Sequence, residues 1–182
     1  DLIYAIEQSE ELRWQDMSLT VDGKLEIVLG RYNPIHDSIE IKYNDAIHEI
    51  VKRNNMNITF METNTTYQVK SYYGADDKIH MSYFIVDDFS DELGVFKRES
   101  LKKNELKQHK KKTNGSIYFD KNDIYYIIDQ EHKLFYLTTD RNIIRKSYPK
   151  KASSIIKFIK TNKLSESNKN DLITLARYIQ SI

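Results

Sequence analysis

The chain has 182 residues and a formal net charge of +1, with 40% hydrophobic and 30% charged residues. This length fits one ordinary domain with a proper core, and the composition is that of a soluble globular protein rather than a disordered chain. There are no cysteines, which excludes disulfides, thiol catalysis, Cys-ligated zinc and lipid attachment through Cys within these residues. No stretch approaches the ~18 consecutive apolar residues of a membrane-spanning helix.

The two halves of the chain differ in charge. Residues 1–96 contain 18 acidic and 8 basic side chains, whereas residues 97–182 contain 9 acidic and 20 basic ones, so the halves are near −10 and +11. Either the halves attract each other within one fold, or the basic half presents a face to an acidic partner.

The first part of the chain is predicted to form short strands joined by turns. Leu12–Val21, with Trp14 inside it, and the run after Asp22-Gly23 are expected to form a hairpin, because Asp-Gly between strand-like runs favours a tight turn. Residues 39–43 alternate apolar and polar side chains, which indicates a half-buried strand. Asp45–Arg53 is compatible with either a helix or a strand.

Three further strands are predicted at Ile58–Met61, Tyr67–Tyr73 and Ile79–Val86, where aromatic and β-branched residues are frequent. The acidic segment Asp87–Glu92 is interpreted as a turn. A strand is expected to resume over Leu93–Phe96.

The most polar stretch, Ser100–Ser116, is predicted to be a mobile hairpin tip or loop. Its lysines are Lys102, Lys103, Lys107, Lys110, Lys111 and Lys112. Lysine-rich tips discourage pairing of strand edges, whereas lysine clusters also bind phosphates. This patch is therefore either a solvated loop or a site for an anionic partner such as lipopolysaccharide, a membrane surface or nucleic acid. Aromatic residues that would stack on bases are missing inside it.

Ile117–Leu137 has the strongest strand character in the chain. Aromatic and β-branched residues crowd it, and polar pieces at Asp120–Asp123 and Asp129–Lys133 interrupt it, which predicts short strands joined by turns. The pattern then becomes helical, with Thr139 or Asp140 as the residue that caps the first helix.

Three helices are predicted in the C-terminal region: Arg141–Ser147, Lys150–Asn162 and a last helix capped by Ser165 or Ser167. The two longer helices carry apolar residues at the i, i+3, i+4, i+7 spacing of one buried face. The residues expected to be largely buried are Ile155, Ile156, Ile159, Leu172, Leu175 and Ile179.

Together these elements predict a single α+β domain over residues 1–182. Residues 1–138 are expected to form an antiparallel sheet that is strongly curled or makes a partial barrel. Two or three helices within residues 139–182 are expected to pack on this sheet.

The order of the C-terminal segments has a parallel elsewhere. Asp123-Ile-Tyr-Tyr-Ile, Lys133-Leu-Phe-Tyr-Leu and the helical segments Ile156–Leu164 and Asp171–Tyr178 resemble the end of a family of small secreted or periplasmic Bacteroidetes proteins. Arg31–Ile41 resembles an early strand pair of that family. The resemblance implies a β-rich body, a strand-helix-helix end, a removed signal peptide and a periplasmic, outer-envelope or secreted location. It implies no catalytic residue.

Residues with metal-binding or acid–base chemistry are scattered. The histidines are His36, His48, His80, His109 and His132, and none of their spacings is the i, i+4 or His-x-His spacing of a zinc site. Carboxylates flank the strand at Ile79–Val86, where solvated loops, a calcium site and a paired acid/base are the alternatives. The Gly-x-Ser-x-Gly, P-loop and dinucleotide-binding glycine motifs are absent. We expect no metal, no cofactor and no catalytic residue.

Tyrosine is abundant, with 13 residues, and most lie on predicted strands. Tyrosine combines contact area with a hydrogen-bonding end, which is typical of interfaces. The candidate interaction surface comprises Tyr72, Tyr73, Tyr83 and Tyr125, and ordinary sheet packing is the alternative.

From these features we expect an exported envelope or secreted protein that binds another macromolecule, either a protein or a glycan, and an enzyme is not favoured. Two alternatives stay open. One is a hydrolase with a carboxylate-lined cleft, and the other is a binder of anionic partners through the basic C-terminal half. No nucleic acid partner and no transmembrane segment are expected.

Overall fold

The computed structural model describes residues 13–21, 24–74, 78–105, 117–128 and 133–182. In these ranges the chain forms an α+β fold, as predicted: a β-rich sheet that closes into a partial barrel, followed by three C-terminal helices. The strands are β1 (Gln15–Val21), β2 (Lys24–Asn33), β3 (Ser38–Tyr43), β4 (Ala46–Glu49), β5 (Asn57–Phe60), β6 (Thr65–Tyr73), β7 (Ile79–Val86), β8 (Val95–Glu105), β9 (Ile117–Ile128) and β10 (Leu134–Tyr136). The helices are α1 (Asp88–Leu93), α2 (Arg141–Ser147), α3 (Ala152–Asn162) and α4 (Lys169–Ser181).

The chain divides into two compact units. Unit 1 lies within Asp1–Val69 and Glu99–Asp123, and unit 2 lies within Lys70–Arg98 and Ile124–Ile182. In unit 1 the strand order is β6-β5-β1-β2-β3-β4, and these neighbours pair antiparallel. The predicted hairpin is confirmed, since β1 pairs with β2 and Val21 lies opposite Lys24.

The ambiguous segment Asp45–Arg53 begins as a strand. Asn44 and Asp45 both have positive φ, at 49° and 58°, which a tight turn between strands requires and which short polar side chains tolerate. The chain therefore reverses into β4, which pairs with β3. Trp14, predicted inside a strand, instead precedes β1, and its half-buried ring lies 4.6 Å from the Arg31 guanidinium carbon and 4.6 Å from Lys42 Nζ.

In unit 2 the sheet closes on itself. Its strand order is β10-β9-β8-β7-β6, and β10 also pairs with β6, where Leu134 lies opposite Tyr72. This last pairing is parallel, so the sheet is mixed. The prediction of an antiparallel sheet is right for most pairings but not for the closing one.

Strands β8 and β9 extend further into polar sequence than predicted. Asp120–Asp123 was expected to interrupt the strands, but β9 runs continuously through it, and the first part of the expected loop, Ser100–Glu105, belongs to β8. Backbone hydrogen bonds between neighbouring strands do not depend on side-chain polarity, so pairing can carry a strand through charged residues. Lys102 and Lys103 lie on β8, whereas Lys107, Lys110, Lys111 and Lys112 lie outside the described residues.

The acidic segment after β7 is a helix and not the predicted turn. Asp87 precedes α1, and its carboxylate accepts hydrogen bonds from the backbone N and the Oγ of Ser90, at 3.2 and 3.3 Å. An aspartate in this position satisfies the first N–H groups of a helix. The sequence therefore contained the spacing of a helix cap, at Asp87 and Ser90, within the segment that was predicted to be a turn.

The C-terminal helices pack into a core with β9. Ile155 and Leu175 are completely buried, and Leu172 and Ile179 are also buried, as predicted. Ile156 and Ile159 are only partly buried at the edge of this cluster, so the apolar stripe of α3 is buried over a narrower face than expected. None of the helices in the described ranges is long and apolar enough to cross a membrane.

Short polar side chains cap two of the three C-terminal helices, α2 and α4. Asp140 caps α2 by accepting from the backbone N of Asn142 and Ile143, at 2.7 and 3.1 Å, which confirms that prediction. The cap of α4 is Asn168 rather than Ser165 or Ser167, since its Oδ1 accepts from Asn170 N at 2.9 Å.

Candidate functional site

The alternation of β9 divides its side chains between two clusters of unit 2. Tyr125 and Ile127 face the helical core, while Ile124, Tyr126 and Ile128 face an aromatic cluster around Phe84. Both faces of the strand are therefore covered over Ile124–Ile128, and this explains the run of apolar and aromatic residues there. The aromatic cluster forms one wall of a cavity.

The cavity has a volume of about 740 Å³. Side chains from β6 to β10 and from one side of α2 line it, so closure of the sheet and the packing of α2 both shape it. The lining residues are Tyr72, Tyr73, Gly74, His80, Arg98, Ile124, Tyr126, Phe135, Tyr136, Asn142, Ile143, Lys146 and Ser147. This volume is in the range of small-molecule binding sites in proteins.

Aromatic rings dominate the lining. The ring of Tyr126 lies 5.0 Å from that of Tyr72 and 5.8 Å from that of Tyr136, which sits directly opposite it on β10. Tyr73 and Phe135 are stacked, with centroids 5.7 Å apart and planes 11° from parallel. These distances and tilted or stacked arrangements are those in which aromatic pairs attract each other. The rings therefore hold one another in place around the cavity.

The charged groups of the lining are all basic. Arg98 donates from Nη1 to the Tyr72 hydroxyl at 2.7 Å, and its guanidinium carbon lies 5.4 Å from the Tyr72 ring and 5.8 Å from the Tyr126 ring. Lys146 contributes a second cation from α2, and the His80 ring lies 5.6 Å from that of Tyr72. Among the described lining residues there is no Asp or Glu. The described lining thus combines aromatic rings with basic side chains.

The carboxylate of Glu166 binds the hydroxyl of Tyr136, one of the residues that line the cavity. Glu166, between α3 and α4, accepts hydrogen bonds from the Tyr136 hydroxyl, from Thr138 Oγ1 at 2.5 Å and from Thr139 N at 3.1 Å. Burial, and then the hydrogen bond to Glu166, raise the pKa of Tyr136 above its ordinary value. Tyr136 therefore keeps its proton and serves as a donor that fixes β10 to the helical region.

Two of the four tyrosines predicted to form an interaction surface line this cavity. These are Tyr72 and Tyr73. Tyr83 is 1% exposed, so its assignment to a surface was wrong: the side chain is part of the core. Tyr125 is half-buried against the helical core and does not line the cavity. Position along a strand does not by itself predict which tyrosines reach the cavity, since Tyr72 and Tyr73 are neighbours on β6 and both line it.

Sequence reasoning missed Arg98, His80, Phe135 and Lys146 as members of a site. They come from four elements far apart in the chain and have no common spacing. Strand order alone brings β7 and β8 between β6 and β9. The available signal was an arginine just after the predicted strand at Leu93–Phe96 and several tyrosines on other predicted strands. These residues become a site only when the order of the strands is known.

Histidine and carboxylate side chains form no group of three or more that could hold a metal ion within the described ranges.

A titratable cluster in unit 1 has the geometry of side-chain packing and not of a binding site. Tyr67 donates to Glu99 Oε2 at 2.6 Å, and its ring lies 4.7 Å from that of Tyr32. Tyr67 is buried, and a buried tyrosine with a satisfied hydroxyl is a packing residue.

The stability of the protein is expected to fall as pH rises above about 10. Burial, followed by the charge of Glu99, raises the pKa of Tyr67, and that of Tyr136 is also raised. Above the ordinary tyrosine pKa the unfolded chain loses protons that the folded chain retains, so unfolding becomes easier. Urea unfolding at a series of alkaline pH values measures this slope.

Tyr67→Phe should flatten that alkaline slope, because phenylalanine has no proton to lose. Tyr43→Phe is the matched control, since Tyr43 is 61% exposed and should leave the slope unchanged. Equal slopes in Tyr67→Phe and the wild-type protein would contradict the assignment.

A second depression, of about 620 Å³, lies along the helices of unit 2. Arg145, Lys157 and Lys160 contribute its charge, and Pro149, Ala152 and Ile156 contribute apolar surface. All three basic side chains are exposed. This depression lies in the basic half of the sequence, and we call it the helical groove.

The chain was compared with known proteins in three ways. No protein-family model matches it, no curated protein is similar to it, and no solved structure matches it.

Proposed function

We propose that this protein is a non-enzymatic binding module that holds one group of a partner, either a protein or a glycan, in the aromatic cavity of unit 2. The observation that carries the proposal is the cavity itself, with five aromatic side chains and Arg98 in its lining. Large, rigid rings supply contact area with little loss of conformational entropy, and arginine adds a directional donor. An exported location, which the family resemblance implies, is part of the same proposal.

The chemistry of the lining favours binding over catalysis. Arg98 and Lys146 are basic side chains that can attract an anion, and Arg98 presents a planar set of donors. Tyr136 is held protonated by burial and by its bond to Glu166. A hydrolase with a carboxylate-lined cleft has less support, because the described lining contains neither Asp nor Glu.

Phe135→Ala is expected to weaken ligand binding at least tenfold, because it removes one ring of the stacked pair with Tyr73. The readout is methyl NMR on isoleucine-labelled protein during titration with a fragment set. Ile124 and Ile143 line the cavity and should shift, whereas Ile39, which is completely buried in unit 1, should not.

Phe158→Ala is the matched control. Phe158 is also a half-buried phenylalanine in a stacked pair, with Tyr178 at 3.9 Å, but it does not line the cavity. Binding should survive this change. If no aromatic, anionic, peptide or sugar fragment shifts Ile124 or Ile143, the proposed function is wrong.

The helical groove supports a second candidate function, the binding of an anionic partner through the basic half. Arg145, Lys157 and Lys160 lie together there, and exposed cations attract anions in a salt-dependent way. In the same titrations this function would appear as binding of an anionic fragment that Phe135→Ala leaves intact, that Lys157→Gln weakens and that added salt suppresses.

A further inference from the structure

We infer that the group held in the aromatic cavity is an aromatic acid, meaning a planar ring that carries a carboxylate. This inference rests on the proposed function and names its ligand class. It combines two properties of the lining: a set of rings that can accommodate another ring, and basic groups that can neutralise an anion. Each property has its own structural support.

The guanidinium of Arg98 is positioned in advance. Its hydrogen bond to the Tyr72 hydroxyl, at 2.7 Å, and its approach to the rings of Tyr72 and Tyr126 restrict its orientation. A planar guanidinium matches the two oxygens of a carboxylate, and an arginine that is already ordered loses less entropy when it binds. Arg98 is therefore the group that recognises the carboxylate.

Two further cations of the described residues lie at or near the lining. Lys146 lines the cavity, and Lys133 Nζ lies 5.9 Å from the centroid of Tyr73. Arg98 is half-buried, which lowers the effective dielectric constant around it and strengthens its attraction for an anion, whereas Lys146 is exposed and contributes less. A cationic ligand meets repulsion from the same groups, so the site discriminates by charge.

The aromatic part of the ligand follows from the rings. Tyr73 and Phe135 form a stacked pair, and Tyr72, Tyr126 and Tyr136 form a tilted set. A further ring gains edge-to-face or offset contacts in such a set. A sugar fits less well, because it needs many hydrogen-bonding partners and the hydroxyls of Tyr72 and Tyr136 are already engaged by Arg98 and Glu166.

A free aromatic acid and the C-terminal aromatic residue of a peptide share this chemistry, since both present a ring and a carboxylate. The probes for the test are N-acetyl-phenylalanine, its amide, a short peptide that ends in phenylalanine, the same peptide amidated at its end, and glucuronate. Affinity is measured from the shifts of the Ile124 and Ile143 methyl groups.

The acid should bind about tenfold or more tightly than the amide, because only the acid forms an ionic hydrogen bond with Arg98. Tighter binding of the free-ended peptide than of N-acetyl-phenylalanine identifies a chain end as the source, and equal binding identifies a small acid. If the amide binds as well as the acid, or if glucuronate binds and the aromatic acids do not, the inference is wrong while the cavity remains a binding site. If none of the probes or fragments shifts these methyl groups, the proposed function itself fails.

Arg98→Gln should weaken binding of the acid about tenfold and binding of the amide clearly less, because only the acid loses an ionic hydrogen bond. Lys157→Gln, in the helical groove, is the control and should change neither. Unchanged binding of the acid by Arg98→Gln would overturn the role of Arg98. If this variant fails to fold, added salt should weaken binding of the acid but not of the amide to the wild-type protein, and equal salt effects on both would overturn the inference.

Discussion

Ile155→Ala is expected to lower the free energy of unfolding by about 2–5 kcal/mol. Ile155 is completely buried where α3 meets the core that Ile127, Leu172 and Leu175 also form. Removal of its side chain beyond Cβ forfeits the transfer of those carbons from water and leaves a cavity that close packing cannot fill. Chemical denaturation followed by circular dichroism measures the change.

Ile159→Ala on the same helix is the matched control. The residue type, the helix and the substitution are identical, but Ile159 is only partly buried at the edge of the core. The loss should therefore be clearly smaller, because less apolar surface is returned to water. Equal losses for the two variants would show that burial in the helical core does not determine their contributions.

Gly94→Ala is expected to destabilise the protein by about 2–5 kcal/mol, through two additive effects. Gly94 has φ of +56°, in the left-handed region that side chains disfavour. A Cβ at this position would also overlap Cγ2 of Ile128. Gly94 and Ile128 cannot easily move apart, because the Gly94 carbonyl accepts a hydrogen bond from the Ile128 N–H at 2.9 Å. The change is measured by urea unfolding.

A double-mutant cycle separates these two effects. Ile128→Leu removes the branched methyl group that the new Cβ would overlap, so it should recover part of the loss in Gly94→Ala and leave the backbone strain. Gly30→Ala is a useful comparison, because Gly30 does not have a positive φ and the nearest contacts of its Cβ would be with the unbranched, buried side chain of Met17. A cost in Gly94→Ala no larger than in Gly30→Ala would contradict the explanation.

Because side chains alternate along β9, neighbouring residues of this strand contribute either to the helical core or to the aromatic cavity. Substitutions at Ile127 should act on stability, because this side chain faces the helical core, whereas Tyr126 faces the aromatic cluster and the cavity. The adjacent residues therefore report on different properties of the molecule. Glu166 connects the cavity wall to the helical region, because it accepts hydrogen bonds from Tyr136 and Thr138.

Local signals in the sequence determined much of the secondary structure. The strand at residues 39–43, the hairpin of β1 and β2 and the Asp140 cap each depend on interactions within a few residues, and each is present as predicted. The buried stripe of α4 follows from helical periodicity in the same way. Where local signals were ambiguous or misread, as at Asp45–Arg53 and Asp87–Glu92, turn geometry and a side-chain cap decided the outcome.

Only the tertiary structure decided where the site lies. The parallel pairing of β10 with β6 and the order of β7 and β8 depend on contacts between residues distant in sequence, for which no local pattern exists. In this arrangement of strands, Tyr72, Tyr73 and Arg98 line the cavity, whereas Tyr83 is buried in the core. Composition therefore indicated tyrosine-rich strands, but strand order and facing determined which tyrosines are available to a ligand, because a side chain's surroundings in a sheet are set by its neighbours across the strands.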